Sequence, residues 1–427
     1  MLNHHKDFTL IAKTIQGLEP VLSMELKALG ASEVTTLTRA VSFKGDQRLM
    51  YTANYCCRTA LRILKPVLIF EIKEQQDLYE MIRDFPWENY LNINGRLAVD
   101  AVISYTVFTN SQYVAQRTKD AIVDRMRDQS GQRPGVDLDD PDLRINVHLF
   151  KDLCTVSLDS SGATLNKRGY RRSIGPAPIN EVLASGLIML SGWDQKIPLL
   201  DPMCGSGTFL IEAVMMSRQI PSGHYRRDFG FMRWKDFDKD LWELVRETED
   251  AKIIPSGLAL YGWDRASRAL QSAMENLQGV NLQDEVILSQ VNFEESGAPA
   301  PKGMIITNPP YDERLKLDDG VAFYQMIGNT LKRKYSGWEA WIISGDLQSV
   351  KFIGLKPSRK IIVFNGPIEC RFLKFSLYCL VKSGVRALMS LSDQSRHGGT
   401  AVLMVLKGQP GLLCHSCIYA RKSQSLI

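Results

Sequence analysis

Several features that would place a chain in a membrane or outside the cell are missing from this sequence. No apolar run approaches the ~18 residues that a membrane-spanning helix needs. Residues 1–7 lack the apolar core of a signal peptide. The eight cysteines in 427 residues are unevenly placed, which is typical of a reducing cytoplasm and not of a disulfide framework. We therefore expect a cytoplasmic protein.

A strong excess of charge is also missing. The chain has 52 Lys and Arg against 47 Asp and Glu, a net charge of +5, and it has no basic tail. Any binding of nucleic acid must therefore come from local basic patches.

The cysteine pattern of a structural zinc site is missing as well. Cys414 and Cys417 form the one C-x-x-C pair, and such a site needs four ligands. We expect no metal site.

The most informative segment is Asn308-Pro309-Pro310-Tyr311, which follows the apolar run 303–307. The run predicts a short buried strand, and the prolines predict a stiff turn because each fixes φ and removes a backbone donor. The Asn308 amide oxygen and the Pro309 carbonyl can accept hydrogen bonds from the two N–H groups of an exocyclic base amine, while Tyr311 stacks on the base. An ordinary Asn-Pro turn is the alternative for these four residues taken alone.

A glycine loop follows the apolar run 197–200, about a hundred residues earlier. It reads Asp201-Pro202-Met203-Cys204-Gly205-Ser206-Gly207-Thr208 and leads into a helical pattern. Gly205 and Gly207 let the backbone pass close to a ligand, and the helix N-terminus adds oriented N–H groups. A nicotinamide-binding loop would have a third glycine where this chain has Leu210. Asp201 suits a ligand with positive charge, such as the ammonium and sulfonium of S-adenosylmethionine.

Two further strand ends carry polar groups that suit the same ligand. Residues 257–264 read as a strand ending in Asp264, and an acid at that position can take both ribose hydroxyls. A third strand within 285–293 ends near Asn292, which can bond the adenine amine, although an ordinary turn residue is an equal alternative. Residues 218–256 are interpreted as an insertion. The order of these elements predicts a Rossmann-like α/β domain.

Together these motifs resemble those of the THUMP-containing class I RNA methyltransferases. The resemblance rests on D-P-M-C-G-S-G-T at 201–208, N-P-P-Y at 308–311 and A-P-I-N-E-V-L-A-S-G-L-I at 177–188, and it covers residues 7–378. Within this family the chain is most similar to the bacterial RlmL type, which methylates the 2-amino group of a guanine in large-subunit ribosomal RNA.

The resemblance implies S-adenosylmethionine as cofactor and RNA as partner. The expected cofactor-binding residues are Asp201, Gly205, Ser206, Gly207, Thr208, Asp264 and Asn292. The expected catalytic residues, which hold the target base, are Asn308, Pro309, Pro310 and Tyr311. One departure is Asp312, where the family usually has glycine. A side chain at that position is expected to narrow the base pocket or shift the loop.

The N-terminal half shows a mixed α/β pattern that fits a separate region. Leucines 18, 22, 26 and 29 have helical spacing. The pattern also predicts strands at 34–43, 60–72 and 97–104, helices at 75–83 and 111–128, and a hairpin from 144–150 and 154–158. By the resemblance we expect a ferredoxin-like piece at 1–55, a THUMP RNA-binding domain at 56–162 and a methyltransferase domain at 163–380. Residues 381–427 lack periodicity, and we expect them not to belong to the fold.

Two groups of basic residues are candidates for RNA contact. The predicted helix 111–128 carries cations that alternate with aspartates, so a solvated helix face is an equal alternative; they are Arg117, Lys119, Arg125 and Arg127. In the stretch between the two halves, basic residues surround a tyrosine that can stack on a base. The candidates there are Lys167, Arg168, Tyr170, Arg171 and Arg172. A charged linker is the alternative for this stretch.

The expected reaction is direct transfer of a methyl group to the 2-amino group of a guanine in RNA, with 23S rRNA as the expected substrate. Three alternatives stay open. The RNA can be a tRNA. The enzyme can be an N6-adenine DNA methyltransferase, for which N-P-P-Y is equally suitable, although the long N-terminal half argues against it. The chain can also be an inactive RNA-binding factor in ribosome assembly, against which the intact glycine loop and Asn308 weigh.

Overall fold

The computed structural model describes residues 7–173, 178–310 and 317–378, apart from the side chains of residues 317 and 318. Tyr311 and Asp312 therefore lie outside the described residues, as do Cys414, Cys417 and the whole segment 381–427. No helix in the described ranges combines the length and the hydropathy of a membrane span.

The N-terminal half forms one continuous sheet with helices packed on it. Its elements are β1 (Phe8–Lys13), α1 (Glu19–Ala28), β2 (Ser32–Leu37), β3 (Ala40–Gly45), α2 (Gln47–Cys56), β4 (Arg62–Glu71), α3 (Gln75–Asp84), β5 (Arg96–Ser104), α4 (Ser111–Ser130), β6 (Gly135–Val136), β7 (Leu143–Phe150) and β8 (Leu153–Asp159). The strand order is β2-β3-β1-β4-β8-β7-β5-β6. Because β1 pairs antiparallel with both β3 and β4, the segments expected to be ferredoxin-like and THUMP share a single sheet.

Local patterns predicted most of this half, with two errors. The leucine spacing matches α1, and the predicted hairpin is confirmed as the antiparallel pair β7 and β8. The single strand expected at 34–43 is wrong, since a turn at Thr38 and Arg39 splits it into β2 and β3. Neither turn residue is Gly, Asn or Pro, although Arg39 has a left-handed φ of 57°. Helix α2 was missed because seven of its ten residues are buried, so it has no clear polar face.

The C-terminal half forms a second sheet. Its elements are α5 (Glu181–Ser191), β9 (Leu199–Asp201), α6 (Thr208–Ser217), α7 (Lys239–Asp250), β10 (Leu260–Asp264), α8 (Ser267–Gln278), β11 (Val286–Gln290), β12 (Met304–Thr307), α9 (Leu317–Lys334), β13 (Glu339–Ser344), β14 (Arg359–Asn365) and β15 (Ile368–Ser376). The order is β11-β10-β9-β12-β13-β15-β14. The first five strands pair in parallel, and β15 pairs antiparallel with both β13 and β14. Helices cover both faces, in the doubly wound arrangement expected from the sequence.

Residues 218–256, interpreted as an insertion, pack against the N-terminal half. Trp242 of α7 makes edge contacts with Tyr55 of α2 and with Phe231, at centroid distances of 5.4 and 5.2 Å. Phe231 in turn stacks on Tyr51 at 4.3 Å. These aromatic rings belong to the same buried cluster as the core of the first sheet. The insertion therefore ties the two halves together with apolar contacts.

Candidate active site

The carboxyl ends of the parallel strands meet at one edge of the second sheet. The chain places β10 on one side of β9 and β12 on the other, so the strand order reverses between β9 and β12. In doubly wound folds a crevice for ligands forms outside the strand ends at this reversal. Asp201 ends β9, Asp264 ends β10, and Asn308 directly follows β12. The edge thus gathers three of the predicted site residues.

The glycine loop between β9 and α6 needs glycine at two positions. Gly205 and Gly207 have φ of 54° and 81°, in the left-handed region. A Cβ on Gly207 would lie 3.1 Å from Ala273 Cβ, whereas a Cβ on Gly205 would meet no atom within 4 Å. Gly207 is therefore explained by close packing on α8. Gly205 instead leaves the backbone accessible on an open side, where a ligand can approach.

The carboxylate of Asp264 holds the glycine loop in position. Its Oδ2 accepts a hydrogen bond of 3.0 Å from Gly205 N, and its Oδ1 accepts one of 2.9 Å from Ala266 N. The Cys204 amide adds a bond of 2.8 Å to the Trp263 carbonyl. The loop is therefore tied to the end of β10 at two successive residues. The predicted bond from Asp264 to ribose hydroxyls stays a prediction.

Asp201 lies beneath the loop and is 2% exposed. Its Oδ1 accepts hydrogen bonds from Thr307 Oγ1 at 2.8 Å and from Met203 N at 3.2 Å. Burial raises the pKa of Asp201 to about 7, although both hydrogen bonds oppose the rise and the charge of Asp264 adds to it. Near neutral pH this carboxyl is therefore poised between its neutral and charged forms, and a cation beside it would favour the charged form.

The side-chain oxygen of Asn308, directly after β12, has no partner among the described residues. Its Oδ1 is enclosed and accepts no hydrogen bond from any described residue. Pro309 is buried beside it, and Pro310 is exposed. Since buried oxygens in native proteins almost always have a partner, an amide oxygen left without one at a strand end indicates a group that serves a ligand. Asn292 is exposed two residues beyond the end of β11, and its adenine contact stays a prediction.

The basic stretch between the two halves is only partly on the surface. Arg168 and Tyr170 are 2% and 1% exposed. Arg168 Nε lies 3.4 Å from Glu212 Oε1, and the Tyr170 hydroxyl donates to the same oxygen at 3.0 Å. Arg168 also donates to the Arg58 carbonyl of the N-terminal half. The prediction that these two side chains contact RNA is therefore wrong, because both are used inside the core.

Arg171 contacts the glycine loop. Its guanidinium pairs with Glu181 at 2.8 Å and donates to Thr208 Oγ1 at 3.1 Å and to Ser206 Oγ at 3.3 Å. The side chain thus positions the expected cofactor loop and does not face solvent freely. Lys167 and Arg172 are exposed, so RNA contact stays a prediction for those two residues.

Asn276 of α8 holds the same loop from the other side. It is fully buried, and its Nδ2 donates to the carbonyls of Ser206 and Ser173, each at 3.1 Å. Its Oδ1 accepts from the amides of Arg172 and Ser173 at 2.7 and 2.9 Å. All four hydrogen-bonding positions of the amide are filled, so Asn276 joins the basic stretch to the glycine loop.

Comparison with known proteins agrees with this geometry. Residues 168–374 match the model of the RMKL-like methyltransferase domain, residues 73–159 that of the THUMP domain, and residues 9–64 that of the RlmL ferredoxin-like domain. A protein of Synechocystis sp., named as a candidate RNA methyltransferase, is 38% identical over 86% of this chain and 96% of its own length. This chain belongs to the RlmL-like family of THUMP-containing methyltransferases.

Further relatives within the RlmL-like family are longer. The ribosomal RNA large subunit methyltransferase K/L of Cellvibrio japonicus is 38% identical over 85% of this chain and 50% of its own length. The chain thus spans about half the length of such relatives. A solved structure of a candidate methyltransferase in complex with S-adenosylhomocysteine has a TM-score of 0.79 and 30% identity, over 88% of this chain and 99% of its own. The predicted fold class, with ferredoxin-like, THUMP and Rossmann-like parts, is confirmed. The exact boundaries at 55, 162 and 380 stay predictions.

Three residues that support the RlmL-like site were not found from the sequence. Thr307 is an ordinary strand residue by pattern, and only its contact with Asp201 gives it a role. The glycine-loop contacts of Arg171 were hidden by its place in a basic stretch. Asn276 offered one signal, because it is an amide at a core position of the amphipathic helix α8.

Proposed function

We propose that this chain transfers the methyl group of S-adenosylmethionine to the 2-amino group of a guanine in RNA, with 23S rRNA as substrate. Two groups at one sheet edge carry the proposal: a buried carboxylate ends β9, and an amide oxygen without a partner among the described residues follows the neighbouring strand β12. Thr307, which bonds to Asp201, directly precedes Asn308. One strand end suits a cationic cofactor, and its neighbour suits an amine.

The residues present fit S-adenosylmethionine. Asp201 offers a carboxylate that a nearby positive charge would keep ionised, and Gly205 leaves the loop backbone open. The amides at the start of α6 face the same edge, since Gly207 is the N-cap of that helix. When bound, the cofactor supplies an electrophilic methyl group. The fold of the family and the neighbour crystallised with S-adenosylhomocysteine support this choice.

The turn after β12 fits an exocyclic amine. The lone pair of such an amine is delocalised into its ring, so the nitrogen is a weak nucleophile. Asn308 Oδ1 and the Pro309 carbonyl would accept hydrogen bonds from the two N–H groups of the amine. These bonds would direct the nitrogen lone pair towards the methyl group of the cofactor. Catalysis then rests on positioning, without a covalent intermediate. The base must leave its stack to reach this turn, because the amine is inaccessible inside a helix.

The N-terminal half favours RNA over DNA as the substrate. Residues 73–159 match the THUMP domain, and relatives at 33–38% identity are named as ribosomal RNA large subunit methyltransferases. Those names describe proteins about twice as long as this chain. We therefore propose a guanine 2-amino group as the target and 23S rRNA as the substrate. The shared domains and the chemistry of Asn308 support this choice.

Parallel transfer of labelled methyl from S-adenosylmethionine to ribosomal RNA, bulk tRNA and DNA tests the proposal. Nucleosides from each labelled polymer are then separated. We expect 2-methylguanosine from large-subunit RNA. The same nucleoside from tRNA would make tRNA the substrate and leave the proposed methylation of a guanine 2-amino group in place. Formation of 6-methyladenine in DNA would contradict both the RNA substrate and the guanine target. Cofactor binding with no label in any polymer would favour an inactive RNA-binding factor.

A further inference from the structure

Two neighbouring segments of the C-terminal half contain no acidic residue. Residues 320–338 hold three Lys or Arg residues, residues 347–368 hold four, and neither segment has an Asp or Glu. The net charge of the whole chain is only +5. A local excess of this size on a nearly neutral protein marks a surface that attracts polyanions.

The two segments pack together, which concentrates their charge. A 3-10 helix at Ser349–Ile353 lies along α9, so that a Cβ on Gly320 would stand 2.8 Å from Ser349 Oγ. Further along, a Cβ on Gly354 would stand 3.0 Å from Lys332 Nζ. Lys332 therefore lies beside Gly354 at the end of the 3-10 helix, two residues before Lys356 in the chain.

Strand β14 adds one more lysine to the same face of the sheet. Lys360 is opposite Leu373 of β15, and cross-strand partners point to the same face. Leu373 belongs to the buried cluster that contains Val350 and Ile353, so this face is the one covered by α9 and the 3-10 helix. We call Lys332, Lys351, Lys356 and Lys360 the lysine strip. Phe352, which is 49% exposed, lies within it.

No acid in the described ranges pairs with the lysine strip. Among the described residues none of its four lysines forms an ion pair, and Lys351 Nζ donates only to Gln348 Oε1 at 3.0 Å. The basic helix α4 is different. There Arg125 pairs with Glu88 at 2.8 Å and Arg127 with Asp124 at 3.0 Å. Three of the four α4 cations, Lys119, Arg125 and Arg127, are therefore balanced by acids, whereas no described acid pairs with a lysine of the strip.

The 3-10 helix of the lysine strip follows the edge that carries the turn at 308–310, which we call the base turn, whereas Lys332 lies near the far end of α9. Thr307 of β12 is in register with Ile342 of β13, and β13 ends two residues later at Ser344. The chain then runs through Asp346 into the 3-10 helix and the strip. A strand of RNA that delivers a base to Asn308 would have its flanking backbone over this connection.

We infer that the lysine strip binds the phosphates of the RNA strand next to the target base, while Phe352 stacks on a flanking base or sugar. This inference rests on the proposed RNA substrate. Unpaired, exposed ammonium groups suit phosphate because each displaces condensed counterions when it binds. An exposed phenyl ring among cations is the usual companion for bases of a single strand.

The experiment is a salt titration of RNA binding by the full chain. The probe is an oligouridylate of about 20 nucleotides, titrated across about 50–300 mM KCl by fluorescence anisotropy. The variant replaces Lys351, Lys356 and Lys360 by Gln. We expect affinity to fall at least about tenfold near 0.1 M salt, and the slope of log affinity against log salt to become shallower by about 2. Phe352→Leu is expected to weaken binding with the slope unchanged.

Two controls make the result decisive. A Lys119→Gln, Arg127→Gln variant removes paired cations from α4 and is expected to keep the wild-type slope. Replacing the same three strip lysines by Arg is expected to restore both affinity and slope. An unchanged salt slope in the Gln variant would overturn the inference that the lysine strip binds RNA phosphates. An Arg variant that binds RNA as weakly as the Gln variant would also overturn it. Whatever the result for the strip variants, methylation of RNA by the wild type would support the proposed function. Absence of RNA methylation by the wild type would instead defeat the proposed function.

Discussion

Thr307 Oγ1 donates a hydrogen bond of 2.8 Å to Asp201 Oδ1, across the boundary between β12 and β9. The bond connects the carboxylate expected to face the cofactor with the residue before the base turn. It also lowers the pKa of Asp201, against the effect of burial. We therefore expect Thr307 to position both the Asp201 carboxylate and the turn that holds the base.

Thr307→Val is expected to weaken cofactor binding at neutral pH. Without the donor, the ionised form of Asp201 loses a charge-assisted bond worth about 1.5–3 kcal/mol, so its pKa should rise above about 7. Calorimetric titration at several pH values should show affinity reduced about tenfold near pH 7 and a midpoint displaced upwards. Thr307→Ser should restore both. A Val variant with wild-type affinity across the range would show that the bond is incidental.

Asp201→Asn should change how stability depends on pH. The pKa of Asp201 is about 7 in the folded protein against about 3.9 in the unfolded chain, so its contribution to stability is complete below the unfolded value and is lost as pH rises to 7. An amide cannot ionise. The free energy of unfolding of the variant, relative to that of the wild type, should therefore increase by about 1.4 kcal/mol per pH unit between those two pKa values. Above about pH 7 the difference should be constant. Denaturant unfolding at several pH values measures this, and a difference independent of pH would contradict it.

Arg171→Gln is expected to impair cofactor binding without changing the salt dependence of RNA binding. The substitution removes the ion pair of the buried Glu181 carboxylate, which among the described residues keeps only the Asn166 amide at 3.4 Å. It also frees Ser206 and Thr208 from the guanidinium. We expect about tenfold weaker cofactor affinity in calorimetry. Arg172→Gln, which changes the exposed neighbour, is the matched control and should leave cofactor affinity unchanged. A shallower RNA salt slope for Arg171→Gln with intact cofactor binding would return Arg171 to the RNA-contact group.

Trp242→Ala should destabilise the fold by about 3–5 kcal/mol, because it removes a buried indole from the contact between the insertion and α2. Leu244→Ala on the same helix is the control. Leu244 is 49% exposed, so its truncation should stay within about 0.5 kcal/mol of the wild type. Equal losses in denaturant unfolding would mean that the insertion does not carry a shared core.

Local patterns predicted those parts of the fold that local physics determines. The glycine loop, the strand before Asn308 and the hairpin of β7 and β8 depend on backbone restrictions and apolar runs within a few residues. The turn at Thr38 and Arg39 gave no such signal, because its residues are not turn formers and the surrounding sheet holds Arg39 in the left-handed region. Tertiary packing there outweighs local preference.

The candidate site was predicted less completely, and for a different reason. Asp201, Gly205, Gly207 and Asn308 were identified by type and position, since each lies at a strand end. Thr307 and Asp201 are 106 residues apart, and no single-sequence pattern reveals that contact. Arg168 and Tyr170 look exposed in a basic linker, yet Glu212 supplies the partner that allows them to be buried. Burial of a charge depends on a distant partner that composition does not show.

We expect the two groups at the sheet edge to have separate roles, Asp201 in binding the cofactor and Asn308 in holding the base. The measurement is a cofactor titration together with single-turnover methyl transfer on Asn308→Ala and Asp201→Ala. We expect Asn308→Ala to bind cofactor within about twofold of the wild type and to lose at least about a hundredfold in transfer. Asp201→Ala should bind cofactor at least about tenfold more weakly. Loss of cofactor affinity in Asn308→Ala, or unchanged affinity in Asp201→Ala, would show that the two residues do not have these separate roles.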